Sequence, residues 1–125
     1  MKTILVAEDR DTSRELVRTL LEHSGYCVLE ATNGAEAINM AQENNPDLVL
    51  VDLQMPIKNG FDVLRALRAD QRFKFTPVVA LTASAMIGDK ERALVEGFTA
   101  YLTKPLSLSM IRSELGRLLN SGGVD

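Results

Sequence analysis

Short, largely apolar runs recur along the chain, and after each one the apolar residues space out to every third or fourth position. The runs cover 3–7, 26–31, 48–52, 77–81 and 99–102 and are rich in Val, Ile and Leu. Runs of that length without alternation predict strands covered on both faces. Five helical stripes lie among them: Leu16, Val17, Leu20 and Leu21; Ala37, Ile38 and Ala41; Phe61, Leu64 and Leu67; Ala93 and Leu94, extended to Met86; and Leu108, Ile111, Leu115 and Leu118. Spacings of three and four put each set on one helix face. The punctuation agrees. Thr12 with Glu15, and Asn33 with Glu36, have the spacing of a capping pair, with Asp11 as another candidate cap. Gly25 and Gly97 follow the first and fourth helices, where a left-handed residue is needed. Pro77 opens the fourth strand, where a missing N–H is tolerated.

Strands alternating with helices predict an α/β fold, a three-layer sandwich with a doubly wound, five-stranded parallel sheet and five helices. The expected strand order is 2-1-3-4-5, with right-handed crossovers. Ligands in such a sheet bind beyond the carboxyl ends of the strands where the order reverses, between strands 1 and 3. The chain has 125 residues, which suits one domain over 1–121 followed by a frayed tail at 122–125. Its apolar share of 46% and charged share of 25% are ordinary for a globular domain. A net charge of -3 argues against nucleic acid as the main partner. The single cysteine, Cys27, reads as a small core residue and fits a cytoplasmic setting. No run approaches the length of a membrane span, and no signal peptide is expected ahead of the first strand.

The strand tips carry the chemistry. The first run ends in Glu8-Asp9, the third in Asp52, the fourth in Thr82, and the fifth near Lys104. Carboxylates brought close together raise one another's pKa, and a hard dication relieves them. Mg²⁺ suits such a set, being held by one or two carboxylates plus substrate phosphate; zinc would ask for His or Cys. A carboxylate can also be a nucleophile toward phosphorus, provided charge on the transferred oxygens is met. The metal, Lys104, and the Thr82 hydroxyl with the Ala83 backbone N–H could meet those oxygens. Pro105 fixes the backbone after Lys104, and a cis bond there would aim the lysine inward.

Together Glu8-Asp9, Asp52 with Met55-Pro56 and Gly60, Leu81-Thr82-Ala83, and Tyr101-Leu102-Thr103-Lys104-Pro105 resemble the receiver domains of two-component response regulators, the CheY-like family. The resemblance runs in order over essentially the whole chain. It implies a flavodoxin-like fold and a phosphorelay switch with Asp52 as phosphoacceptor. Asp9 and Asp52 would bind Mg²⁺ directly, with Mn²⁺ a possible substitute. Glu8 would act through water and Gln54 through its backbone carbonyl. Lys104 would pair with the phosphoryl group and Thr82 move toward it, while Tyr101 turns inward. The acidic pair here is Glu-Asp, a common family variant of Asp-Asp, in which Glu8 reaches one methylene further. The implied partners are a histidine kinase or histidine phosphotransfer protein and a downstream protein, met through helix 4, strand 5 and helix 5 around Ala85–Ile87, Tyr101 and Leu106. A monomer or a weak phosphorylation-dependent dimer is expected, with no nucleic acid or membrane contact.

Plainer readings stand beside these. An Asp before a loop is commonly a solvated strand end or a cap. His23 reads as a surface group that complements the first helix dipole. Asp89-Lys90-Glu91-Arg92 reads as a solvated helix face. Asn33-Gly34 and Asn59-Gly60 read as loops, Phe73 and Phe75 as packing residues, and Gln54 and Ser84 as tuners of hydrolysis. The chain is expected to be a stand-alone regulator, with a receiver of a hybrid kinase or larger regulator as the alternative. An aspartate-nucleophile phosphohydrolase would need an acid two residues beyond Asp52, where Gln54 stands. A flavin carrier would need a phosphate loop after strand 1, where Glu8, Asp9 and Asp11 would repel the phosphate.

Overall fold

The computed structural model describes residues 1–83 and 86–121, with side chains as far as 119. Ser84, Ala85 and the tail expected at 122–125 lie outside the described residues. In chain order the elements are β1 (Thr3–Ala7), α1 (Asp11–His23), β2 (Cys27–Ala31), α2 (Gly34–Asn44), β3 (Leu48–Asp52), α3 (Gly60–Arg68), a 3₁₀ turn (Gln71–Phe73), β4 (Val78–Thr82), α4 (Asp89–Glu96) and β5 (Ala100–Thr103). The last helix, α5, starts as Leu108–Met110, passes through a π-helical stretch at Ile111–Leu115 and ends as Gly116–Ser121.

All four strand pairings are parallel, and the sheet order is β2-β1-β3-β4-β5, as the alternating pattern implied. Every residue of β3 and β4 is buried, which is why those runs lack a polar alternate. One face of the sheet packs Ile4, Val6, Leu48, Leu50, Val79 and Leu81 against Val17 and Leu21 of α1 and Ile111 and Leu115 of α5. The other packs Leu5, Val49, Val51 and Ala80 against α2, α3 and Ala93 of α4. The alternate residues of each strand thus feed opposite cores.

Several expectations need correction. Thr12 and Glu15 do not cap α1; the helix begins at Asp11, and no side chain of its N-cap residue, Arg10, makes a capping bond. Glu8 does that work from the strand tip, accepting from the Arg10 N–H (3.1 Å) and the Ser13 hydroxyl (2.9 Å). Asn33 does cap α2, but its partner acid Glu36 turns to the Thr32 N–H instead. The full reciprocal box forms at Asn59 and Asp62, at the start of α3. Cys27 is exposed, not core: it opens the edge strand β2, of which only the far end, Ala31, is fully buried. Phe73 fills the core as expected, but Phe75 is 90% exposed, because the chain beyond the 3₁₀ turn carries it out beneath the Lys74 ammonium. Leu16 and Leu94 are likewise exposed, so the stripes on α1 and α4 are narrower than their spacing suggested, and Met86, also exposed, lies before α4 begins.

Candidate functional site

Parallel pairing makes β1, β3, β4 and β5 end at one rim. The register pairs Ala7 with Val51, Asp52 with Leu81, and Thr82 with Thr103. Glu8, Asp9, Asp52, Thr82, Ala83 and Lys104 therefore emerge side by side, at the crevice where the strand order reverses. The reach is set by backbone as well. A Cβ on Gly60 would lie 2.8 Å from the Asp52 carbonyl oxygen, so only glycine lets α3 start that close beneath the strand tip. Gly34 is equally constrained, since its Cβ would sit 2.0 Å from the Lys58 carbonyl oxygen. Between them the loop doubles back at Ile57, whose φ of 69 is unusual for a β-branched residue, with the Lys58 N–H donating to the Pro56 carbonyl at 2.8 Å.

Lys104 lies at the centre of the charge. Its ammonium donates to Asp52 Oδ2 at 2.7 Å and to Glu8 Oε1. The peptide bond from Lys104 to Pro105 is cis, as its position suggested. Glu8 is wholly buried and accepts from Lys104, the Arg10 N–H and the Ser13 hydroxyl. Asp52 is buried and accepts from Lys104 and from the Gln54 N–H at 2.8 Å. Asp9 is exposed, yet carboxylate oxygens of Glu8, Asp9 and Asp52 all lie within 4.8 Å of one another.

These surroundings separate the two buried acids. Burial pushes the Glu8 carboxyl up, but Lys104, the Arg10 N–H and the Ser13 hydroxyl outweigh it and hold the group below its ordinary value. Burial pushes the Asp52 carboxyl up as well, Glu8 adds to the push, and Lys104 with the Gln54 N–H offsets only part of it. Burial works against the Lys104 ammonium, yet Asp52 and Glu8 together raise it above its ordinary value. Asp52 is thus the buried carboxylate with fewer donors, raised above its ordinary value where Glu8 is lowered below its own.

Chemically, three carboxylates converging with neither His nor Cys among them form a hard-oxygen set, which fits Mg²⁺ and does not fit zinc. Thr82 is buried at the next tip, with Ala83 exposed beyond it. Tyr101 on β5 has a buried hydroxyl with no hydrogen-bond partner of good geometry among the described residues. Burial, then Asp89 and Glu91, push its phenol up, while nearby Thr82 pulls the other way. Ser84 lies outside the described residues. Sequence reasoning passed over Arg14 and Arg68. Both are arginines on helices whose fork binds backbone carbonyls, which a periodicity count reads as surface charge.

Residues 4–116 match the model of the response regulator receiver domain family. The chain is 40% identical over 119 residues to the polar-differentiation response regulator DivK of Brucella anthropi, a match covering 92% of this chain and 97% of that one. Among solved structures it superimposes on chemotaxis protein CheY4 of Vibrio cholerae with a TM-score of 0.87 and 31% identity, covering 94% of this chain and 98% of that one. It also superimposes on the receiver domain of sensor histidine kinase PA1611 from Pseudomonas aeruginosa, with a TM-score of 0.88, 30% identity, and coverage of 95% and 98%. That receiver was solved with a magnesium ion coordinated in its active-site cleft.

Proposed function

The chain belongs to the response regulator receiver family of two-component signalling, and we propose that it works there as a phosphorylation-controlled switch with Asp52 as the phosphoacceptor. The observation that carries this is the placement of the Asp52 carboxylate against the Lys104 ammonium at 2.7 Å and within 4.8 Å of the acid pair Glu8-Asp9. One Asp52 oxygen attacks the phosphorus of a phosphohistidine on a histidine kinase or phosphotransfer protein. The phosphorus–nitrogen bond breaks, and the departing imidazole takes its proton from solvent. Asp9, Asp52 and the Gln54 carbonyl would hold Mg²⁺, with Glu8 behind a water because Lys104 and Ser13 already occupy its Oε1 and the Arg10 N–H its Oε2. The bound metal supplies neutralisation of the charge on the transferred oxygens. Lys104 leaves Glu8 to pair with the phosphoryl group, and the Thr82 hydroxyl with the Ala83 N–H turns to it.

A groove of about 510 Å³ between Arg10, Ser13 and Leu16 of the α1 side and Pro105 and Leu106 opens onto Lys104, and the histidine-bearing donor would lie along it. Phosphorylation adds about one and a half to two negative charges at Asp52. That charge draws Thr82 inward, Tyr101 follows beneath α4, and the face of α4, β5 and α5 signals to a downstream protein. Hydrolysis then resets the switch, so the protein is not a turnover enzyme. We place it in the cytoplasm as a monomer or a weak phosphorylation-dependent dimer; among the described residues no helix is long and apolar enough to cross a membrane.

The test is intact-mass analysis after incubation with acetyl phosphate and Mg²⁺. The protein should gain one phosphoryl group, and Asp52→Asn should gain none. A substituted protein that still takes the label would move the acceptor elsewhere.

A further inference from the structure

Arg14 is the most buried arginine of α1, its side chain 15% exposed, and its guanidinium reaches three points at once. Nη1 donates to the Glu8 backbone carbonyl at 3.0 Å, Nη2 to Asp11 Oδ1 at 2.7 Å, and Nε to Glu30 Oε1 at 3.2 Å. The first of these is the carbonyl of the peptide whose N–H belongs to Asp9. The other side of Glu8 is also held, since its own N–H donates to the Ala31 carbonyl at 3.0 Å. Asp9 therefore leaves the strand tip after two successive peptides that are each held, the Ala7–Glu8 peptide by its N–H and the Glu8–Asp9 peptide by its carbonyl. Asp11 closes the loop on the far side of Asp9, and Glu30 ties the assembly to β2, where it sits opposite Val6 in the register. Glu30 also accepts from Arg18 at 3.2 Å.

From this geometry we infer that Arg14 is the positioning residue of the metal-binding loop: it aims Asp9 into the acid cluster, and Glu30 and Asp11 cancel the charge with which it would repel a cation. The inference rests on the proposed Mg²⁺ site. Lysine could not replace the fork, since one ammonium has no planar array to span a carbonyl and two carboxylates in different directions. The sign of the effect separates positioning from simple electrostatics. A bare positive charge near a cation site weakens binding, so its removal would tighten it. A positioning residue does the opposite, and partners that orient a ligand are commonly worth about 10–100-fold in metal affinity.

The experiment is calorimetric titration of the whole chain with Mg²⁺, alongside melting in chelator. Arg14→Ala should raise the Mg²⁺ Kd about tenfold, and Arg14→Lys should fall between it and the wild type. Glu30→Gln should raise Kd severalfold with the chelator melting temperature little changed, because Arg14 stays but only Asp11 is left to cancel its charge. An unchanged or lower Kd in Arg14→Ala overturns the inference, as does a lower chelator melting temperature with Kd unmoved. If Arg14→Ala does not fold, Arg14→Lys and Glu30→Gln decide on the same readings. A wild-type protein that takes no Mg²⁺, with Asp9→Asn as its matched control, would sink the proposed site and this inference together. Wild-type binding with unaffected variants would sink the inference alone.

Discussion

Helices α1 and α4 flank the same site from opposite faces of the sheet, and they are held very differently. α1 runs for 13 residues, buries Val17 and Leu21, and ties its first turn to the strand tip through Arg14, Ser13 and the Arg10 N–H. α4 runs for eight residues and buries only Ala93. Around it Ile87 is 105% and Val95 86% exposed, and its clearest outside tie is the Arg92 guanidinium stacked 4.6 Å over the Phe61 ring. A charged site must be kept rigid where ligands are aimed, while a segment that reports a change must be cheap to move. On the proposed function the two helices would divide those tasks, with the acids beside the well-held one and Tyr101 on β5 beside the other.

The contrast can be broken most sharply by stability. Leu21→Ala on α1, at a wholly buried position, should cost about 2–5 kcal/mol in urea unfolding. Lys104→Ala comes next. Removing the one cation between two buried carboxylates should cost about 3 kcal/mol in chelator, part of it recovered when Mg²⁺ is added. Asp52→Asn should act in the other direction. The folded pKa of Asp52 is raised, so its contribution to stability is whole below its ordinary value of 3.8 and is lost as pH rises through the folded value. At neutral pH the ionised group therefore opposes folding, and Asp52→Asn should melt higher than wild type in chelator. That gain should vanish toward pH 3.8, where the wild-type group also becomes neutral; a gain independent of pH would contradict the sign. Val95→Ala on α4 should move stability by less than about 0.5 kcal/mol, and a loss resembling that of Leu21→Ala would erase the distinction between the helices.

The features legible in the sequence were those that repeat. Runs buried on both faces announced β1, β3 and β4, and parallel order followed from alternation with helices. The acids, Thr82 and Lys104 stood out because polar residues ended otherwise apolar runs. What escaped depends on neighbours distant in sequence. Cys27 and Phe75 have the chemistry of core residues, but one opens an edge strand and the other follows Phe73 out of the core. The start of α1 was misread because its capping acid is Glu8, a residue already assigned to the site. Arg14 was invisible because no pattern tells an arginine facing solvent from one gripping the carbonyl of a residue six positions back.

The central claim is that acids crowded at one rim of the sheet are there to share a cation. Melting the wild-type protein in chelator and again in millimolar Mg²⁺ tests it most directly, because a ligand that binds only the folded state stabilises it by mass action. A higher melting temperature in Mg²⁺, absent in Asp9→Asn, is the predicted result; identical curves for the wild type in chelator and in Mg²⁺ would contradict it.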